Sequence, residues 1–261
     1  FFGEHAVVYG YKGITIPLPQ MTVDVELKET NIIQERDEII SFISEACGIN
    51  DRTEININST IPVGRGLGSS AALSIAIARA KKLTNIREIA NKCEKFIHGN
   101  PSGIDVNQVL SDTPLLFSKK DGAIPLDFNL DSYLLIIDTG VIGITKETLK
   151  HIKQNFEYYK SYIDELGEIT EKVIEPLKKK AIEIVGAYMY KAHDLLQKLG
   201  VSHESNDDVV NICKNNGALG AKLTGGGAGG CCIALSKTKE NAEKIQNELA
   251  KKGYKSWIVT V

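Results

Sequence analysis

The segment from Pro62 to Ala72, PVGRGLGSSAA, has the composition of a phosphate-binding loop. Three glycines fall within five positions, directly before an apolar run with helical spacing. The free N–H groups and positive dipole end of a helix N-terminus attract anions, and glycines let the backbone approach without intervening Cβ atoms. Ser69 and Ser70 could cap the helix, bond a phosphate or ligate a metal. For the glycines alone, a plain glycine-rich connection capped by serine is an equally good interpretation.

Two familiar phosphate-binding templates do not fit this segment. A P-loop requires Lys directly after its last glycine, and no Lys follows Gly68. The dinucleotide-binding fingerprint requires glycine at the position of Ser69. If the segment binds an anion, it does so as a different kind of loop.

A second segment, EKFIHGNPSGID from Glu94 to Asp105, supplies two carboxylates. Its Asn-Pro-Ser-Gly stretch predicts a turn, after which Ser102 could cap a short helix. Asp105 then lies in the first turn of that helix, where a carboxylate is favoured by the dipole. Helix stabilisation is therefore the plain interpretation of Asp105, and a solvated helix face is that of Glu94.

Two further segments are candidates for ligand contact. In KLTGGGAGG, from Lys222 to Gly230, five of the last six residues are glycine, which suits a flexible loop or close approach by a ligand. In GEHAVVYG, from Gly3 to Gly10, Glu4 and His5 are adjacent within an apolar frame. Such a pair is either a satisfied buried pair or part of a binding site.

The elements that must position these segments are mainly strands in the first half of the chain and helices in the second. Alternation or short apolar runs predict strands, at 21–29, 53–60, 133–138, 230–235 and 254–261. Helical spacing predicts helices, at 69–82, 85–98, 145–166, 168–200 with an interruption near Pro176, 207–215 and 239–252. This order is an α+β pattern. Turn chemistry near 120–130 predicts two domains, 1–128 and 129–261.

Composition excludes several classes of protein. The 261 residues carry a formal charge of −2, which gives no reason to expect nucleic acid or an anionic membrane as a partner. No apolar run reaches the roughly 18 residues that would span a bilayer. The five cysteines, an odd number with no C-x-x-C spacing, fit reduced, buried thiols in a cytoplasmic protein.

Together, GEHAVVYG, PVGRGLGSSAA, HGNPSGID and KLTGGGAGG resemble the motifs of the GHMP kinase superfamily, in its order and over nearly the whole chain. GEHAVVYG and HGNPSGID are similar to the mevalonate kinase family within it. The resemblance implies a ribosomal-protein-S5-like N-terminal domain, a ferredoxin-like C-terminal domain and an active site in the cleft between them. It implies ATP-dependent phosphorylation of the 5-hydroxyl of mevalonate with Mg²⁺, an early step toward isoprenoids, and it makes a homodimer plausible.

The resemblance also implies roles for individual residues. Asp105 would be the catalytic carboxylate beside the substrate hydroxyl, and Ser70 and Glu94 would hold Mg²⁺. The substrate-binding residues would be Glu4, His5, Asp105, Thr139, Gly225 and Gly226. The ATP phosphates would be wrapped by the loop residues Pro62, Val63, Gly64, Arg65, Gly66, Leu67, Gly68, Ser69, Ser70, Ala71 and Ala72.

The sequence departs from the family pattern at two points. In the family, the alanine of the third motif usually stands two positions earlier than Ala228. The residues of the loop are therefore still small, but their order differs from that of the family. The first motif usually follows a strand that carries an active-site Lys. The chain begins at Phe1, without Met, so we expect that Lys to precede it and the N-terminus to be incomplete.

Two alternatives of different classes remain. Phosphomevalonate, homoserine and galactose kinases share the glycine loop, but a phosphorylated substrate should require extra Arg or Lys near the first motif, and Glu4-His5 offers none. A nucleotide-binding regulator without catalysis is the other alternative. The presence of Glu94 and Asp105 at the separation typical of the family argues against it.

Overall fold

The structure is a computed structural model that describes residues 1–99, 101–143 and 145–261, and for 145–149 the helical backbone alone. Its contacts group the chain into two compact units. Unit 1 consists of Phe1–Ile16, Gly64–Leu67 and Thr113–Val261, and unit 2 of Pro17–Val63 and Gly68–Asp112. The glycine-rich loop therefore belongs partly to each unit, because the division falls between Leu67 and Gly68. The domain limits 1–128 and 129–261 stay a prediction.

Helices and strands are mixed along the chain, as the α+β pattern predicts. The strands are β1 (Gly13–Thr15), β2 (Val23–Glu29), β3 (Thr53–Ser59), β4 (Leu115–Ser118), β5 (Gly122–Pro125), β6 (Tyr133–Asp138), β7 (Gly220–Thr224), β8 (Cys231–Ser236) and β9 (Lys255–Thr260). The α-helices are α1 (Glu38–Ala46), α2 (Ser69–Ala80), α3 (Ile86–His98), α4 (Ile104–Val109), α5 (Thr145–Gln154), α6 (Phe156–Lys178), α7 (Ile182–Lys198), α8 (Glu204–Asn215) and α9 (Lys239–Lys251). A 3-10 helix covers Ala6–Tyr9.

The main sheet of unit 1 is antiparallel and has the strand order β7-β8-β6-β9. Along the chain its parts follow as β6, helices α5 to α8, β7, β8, α9 and β9, which is the β-α-β-β-α-β order of a ferredoxin-like fold. The central strands β6 and β8 are buried almost throughout, so they appear in the sequence as continuous apolar runs. The ferredoxin-like prediction is confirmed. A second sheet of unit 1 has the order β1-β4-β5.

Unit 2 packs helices α1, α2 and α3 against a two-stranded antiparallel sheet of β2 and β3. Ile43, Ile77 and Cys93 lie at the centre of its core, and Val25 and Leu27 of β2 pack against them. The intervening β2 residues are exposed. The alternation in the sequence therefore predicted the wet face of this strand correctly.

Two predicted boundaries are wrong. The break expected near residue 167 does not exist, because Gly167 is a buried residue inside α6. A Cβ on Gly167 would lie 2.0 Å from Cδ1 of Tyr11, so this glycine makes room for a ring and does not end a helix. The helix breaks instead between Gln154 and Phe156. In addition, Lys222–Thr224, predicted as the start of a loop, belongs to strand β7.

Two further observations bear on the class of protein. All five cysteines are free and buried. Within the described part of the chain, no helix is long and apolar enough to cross a membrane.

Candidate active site

The loop that opens α2 requires glycine at three positions. Gly64, Gly66 and Gly68 have φ angles of 71°, 74° and 69°, a region that side chains with a Cβ rarely adopt. Gly68 is the N-cap of α2, so the helix begins at Ser69 without a capping side chain. The sequence allowed Ser69 or Ser70 to cap this helix, but neither side chain does so. Its first N–H groups are of the kind that bind anions at helix N-termini.

The first part of the loop is fastened within unit 1 by Arg65. Its Nε lies 2.9 Å from Oδ1 of Asp138, at the end of β6, and its Nη2 donates to the carbonyl of Gly140 at 3.1 Å. Its own carbonyl accepts a hydrogen bond from the backbone N–H of Cys231 at 3.1 Å. Three separate contacts thus fix the backbone of the loop at this position.

The glycine-rich loop after β7 packs against the same segment. A Cβ on Gly225 would lie 2.9 Å from Cα of Gly66, so neither residue tolerates a side chain without movement. Thr139, expected at the substrate, donates its hydroxyl to the carbonyl of Gly230 at 2.6 Å. Ala228 has a φ of 53°, a conformation that glycine adopts at lower cost. The two glycine-rich segments of unit 1 therefore support each other backbone to backbone.

The predicted metal ligands are brought together in unit 2. Ser70 in the first turn of α2 has its Oγ 3.2 Å from Nε2 of His98, at the end of α3. Oε2 of Glu94, one turn earlier on α3, lies 3.7 Å from the same nitrogen. Glu94 is only 2% exposed, and its other oxygen, Oε1, is buried without a hydrogen-bond partner. His98 thus links the two predicted ligands.

Asp105 lies beside the N-cap of α2. A Cβ on Gly68 would lie 3.7 Å from Cγ of Asp105 and 3.9 Å from its Oδ1. These are ordinary van der Waals distances, so the left-handed backbone, and not the approach of the carboxylate, requires glycine at this position. The acid in the first turn of α4 is brought against the start of α2, within unit 2, as the catalytic role would require.

The environment of Asp105 makes its ionisation unfavourable. The residue keeps an exposed edge, but its carboxyl group is surrounded by many protein atoms. This desolvation, with the negative charge of Glu94 added to it, raises the pKa of Asp105 from 3.8 to about 6. A carboxylate with such a pKa can take up and release a proton near neutral pH.

Glu4 and His5 form a buried polar pair in unit 1. Burial is the largest single influence on Glu4 and would raise its pKa, but the charge and hydrogen bond of Lys222, together with smaller contributions, lower this pKa to about 2. Burial lowers the pKa of His5 to about 4, so its ring is neutral at pH 7. Nε2 of His5 lies 3.1 Å from the carbonyl oxygen of Gly226. Oε2 of Glu4 and Nδ1 of His5 are buried without partners in the protein.

The oxygen donors in unit 2 fit Mg²⁺. A buried, unpartnered carboxylate oxygen on Glu94 and the hydroxyl of Ser70 are hard ligands of the type that Mg²⁺ prefers. Among the residues that the structure describes, no group of three or more His, Cys, Asp or Glu side chains could hold a metal ion by itself. A cation at this site would therefore need further oxygens from phosphate and water, which is the usual situation for Mg²⁺.

Sequence reasoning missed three residues that hold these clusters. Lys222 contacts Glu4, His98 links Ser70 to Glu94, and the buried amide of Asn206 both donates to and accepts from the backbone of Gly229. His98 stands in a quoted motif and could have been found there. Lys222 also stands in a quoted motif, KLTGGGAGG, but its partner is 218 positions away; Asn206 lies in none of the quoted motifs.

Comparison with known proteins identifies the family of the chain. Residues 31–111 match the GHMP kinases N terminal domain, and residues 173–255 match the GHMP kinases C terminal domain. The mevalonate kinase of Pyrococcus furiosus is 31% identical, over 92% of this chain and 87% of its own length. The solved mevalonate kinase of Methanococcus jannaschii has a TM-score of 0.80 and 26% identity, covering 100% of this chain and 95% of that one. The fold is also that of L. major mevalonate kinase in complex with R-mevalonate, with a TM-score of 0.86 and 24% identity over 99% of this chain and 92% of that one. The chain therefore belongs to the GHMP kinases and, within them, to the mevalonate kinase family.

Proposed function

We propose that this chain transfers the γ-phosphoryl group of ATP to the 5-hydroxyl of mevalonate, giving 5-phosphomevalonate for isoprenoid biosynthesis. The observation that carries the proposal is the approach of Asp105 to Gly68, at the start of the helix opened by the glycine loop. An acid with a pKa near neutrality thus lies beside a site built for phosphate. Membership of the mevalonate kinase family supports the choice of substrate.

The loop from Pro62 to Ala72 holds the phosphates of ATP. Its three glycines bring bare backbone to the nucleotide, and the N-terminus of α2 offers N–H groups and a positive dipole end. Phosphoryl transfer depends mainly on in-line positioning and on neutralising charge, which these groups supply. Ala71 and Ala72 are buried in the core of unit 2, so they contribute through the helix backbone.

Asp105 orients the substrate hydroxyl and accepts its proton as the oxygen attacks phosphorus. Its pKa of about 6 leaves it mostly ionised at pH 7, yet basic enough to take a proton. Ser70 and Glu94 would hold Mg²⁺, which would supply charge neutralisation at the phosphates of ATP. The unpartnered oxygen of Glu94 supports this assignment.

Glu4 and His5 bind hydroxyl groups of mevalonate. A carbonyl oxygen only accepts hydrogen bonds, so Nε2 of His5 must carry the proton and donate it to Gly226, which leaves Nδ1 as an acceptor. Oε2 of an ionised Glu4 is also an acceptor. Two buried acceptors on consecutive residues suit a hydroxyl-bearing substrate, and the carboxylate of Glu4 would repel a phosphate.

A substrate panel tests the proposal against other kinases of the superfamily. Purified protein with ATP and Mg²⁺ is offered mevalonate, phosphomevalonate, homoserine or galactose, and release of ADP is measured. We expect turnover with mevalonate and background rates with the others. Turnover with another substrate of the panel would assign the chain to a different kinase activity. If no substrate causes release of ADP, the proposed kinase activity is excluded and the alternative of a nucleotide-binding protein without catalysis is favoured.

Substitution of Asp105 tests the mechanism. Asp105→Asn should lower kcat by roughly 10²-fold or more while ATP still binds, because it removes the proton acceptor. Asp112→Asn, which removes an exposed carboxylate seven residues later, is the control and should leave kcat unchanged. Near-normal turnover of Asp105→Asn would exclude the assigned role.

The proposal includes a cytoplasmic enzyme and allows a homodimer. Five free, buried thiols support a reducing compartment. The homodimer stays a prediction from family resemblance.

A further inference from the structure

Lys222 is a lysine enclosed completely by protein. It lies in the middle of β7 with 0% exposure, and its side chain is the largest of the fully buried side chains among the described residues. Its Nζ donates to Oε1 of Glu4 and, at 2.8 Å, to the carbonyl of Leu223, and it lies 5.9 Å from the centre of the Phe2 ring. Lysine is almost never buried in this way unless it is paired, and here the partner is Glu4.

Stability is a poor explanation for such a pair. Removing two charges from water is costly, and a well-packed apolar pair of similar volume is often at least as stable as a buried ion pair. Other lysines of the chain make exposed pairs, such as Lys237 with Glu183, whose side chains are 64% and 61% exposed. The buried pair therefore requires a reason other than cohesion of the fold.

The effect of Lys222 on Glu4 supplies that reason. Lys222 occupies Oε1, and the hydroxyl of Thr224 lies 3.4 Å from the same oxygen. The second oxygen, Oε2, is buried and has no partner in the protein. The charged or titratable side chains that face Glu4 are Lys222 and the neutral ring of His5. One carboxylate oxygen is thus fixed while the other remains available to a ligand.

We propose that Lys222 is a positioning residue of the substrate site, which fixes Glu4 so that Oε2 accepts a hydrogen bond from a hydroxyl of the substrate. Direct contact between Lys222 and the substrate is disfavoured, because the lysine is fully buried and already donates to two oxygens. The inference rests on the proposed role of Glu4 in binding mevalonate, and it adds the residue on which that role depends.

A double-mutant cycle tests the proposal. Lys222→Met should raise KM for mevalonate about tenfold or more and leave KM for ATP unchanged, since a hydrogen bond to a charged group is lost. Glu4→Gln should change KM for mevalonate in the same direction. In the Glu4→Gln background, Lys222→Met should add little, because a residue that acts through Glu4 has no further effect once Glu4 is replaced. Lys237→Met, which breaks the exposed pair with Glu183, is the matched control and should change neither KM.

The pH dependence gives a second readout. Without Lys222, burial of Glu4 loses its main opposing influence, so the pKa of Glu4 rises and the carboxylate becomes protonated at a higher pH than in the original protein. The ratio of kcat/KM for mevalonate, Lys222→Met over the original protein, should therefore fall as the pH is lowered from 8 to 5.5. The ratio cancels the titration of Asp105, which is common to both proteins.

Each outcome supports or overturns the inference. The inference is overturned if Lys222→Met has the same KM for mevalonate as the original protein and only a lower melting temperature. It is also overturned if the effects of Lys222→Met and Glu4→Gln on this KM multiply in the double mutant. If Lys222→Met does not fold, the Glu4→Gln/Lys222→Met protein, which buries neither charge, should fold and match Glu4→Gln in KM; a further loss would overturn the inference. Failure of the proposed function is seen separately, as no turnover of mevalonate by the original protein or no effect of Glu4→Gln.

Discussion

Replacement of Asp105 by Asn should make the protein more stable at neutral pH while it removes activity. The folded chain raises the pKa of this carboxyl from 3.8 to about 6, chiefly through desolvation and secondarily through Glu94. A carboxylate whose pKa is raised by folding is penalised wherever it is ionised. The penalty is absent below the pKa of the unfolded chain, grows between the two pKa values, and is complete above the higher one. Asn is neutral and escapes it.

The size of this gain follows from the two pKa values. The difference between 3.8 and about 6 corresponds to at most about 3 kcal/mol. Because Asp105 keeps an exposed edge, screening by water reduces this, and we expect about 1–2 kcal/mol. For a chain of this length each kcal/mol raises the melting temperature by roughly 2–4 °C. At pH 5, between the two pKa values, about half of the gain at pH 8 should remain.

Thermal unfolding of Asp105→Asn and the original protein, at pH 5 and pH 8, measures this gain. The buffer contains EDTA and no nucleotide, since a bound cation would neutralise the carboxylates. Glu88→Gln is the control, because Glu88 is an exposed carboxylate in the first turn of α3, as Asp105 is in that of α4. It should give no gain. A melting temperature of Asp105→Asn at or below that of the original protein at pH 8, or a gain independent of pH, would refute the reasoning.

Two further predictions concern the metal site and the loops. Glu94→Gln should weaken binding of Mn²⁺, used as a probe for Mg²⁺, about tenfold or more, because the buried, unpartnered oxygen loses its charge. The affinity is measured by titration with ADP present, and an unchanged affinity would exclude Glu94 as a ligand. Gly225→Ala should lower the melting temperature and weaken binding of an ATP analogue, because the new Cβ would lie 2.9 Å from Gly66 and Gly225 has a φ of 72°. Unchanged values for Gly225→Ala would show that the two loops can move apart.

The sequence predicted best the elements whose burial is uniform along the chain. Strand β6 was predicted with its observed limits, Tyr133–Asp138, because a strand in the middle of a sheet is apolar throughout and bounded by turn residues. The predicted helix break at Gly167 is wrong because a glycine that ends a helix and a glycine that makes room for a neighbouring ring cannot be distinguished in the sequence. The difference lies in Tyr11, which is distant along the chain.

The same distinction applies to the site. The loop glycines were accessible from the sequence, because their spacing is a local property, whereas the place of Asp105 at the site was implied only by the family resemblance. Lys222 and Glu4 are separated by 218 positions, so no pattern in either segment reports that they meet. The two residues meet only in the folded chain, in which Lys222 lies in the middle of strand β7.

The two acids of the proposed mechanism differ in environment, and this difference divides their tasks. Glu4 is enclosed by protein and Asp105 is partly exposed, but in both the loss of hydration disfavours the charge. At Asp105 the negative charge of Glu94 adds to desolvation, and the pKa is about 6; at Glu4 the charge and hydrogen bond of Lys222 oppose desolvation and contribute to a pKa of about 2. A group that titrates near neutrality can accept a proton during the reaction, and a group that stays ionised can only accept hydrogen bonds. In the proposed mechanism, the partner charges, more than the carboxyl groups themselves, therefore assign the role of base to Asp105 and the binding of substrate to Glu4.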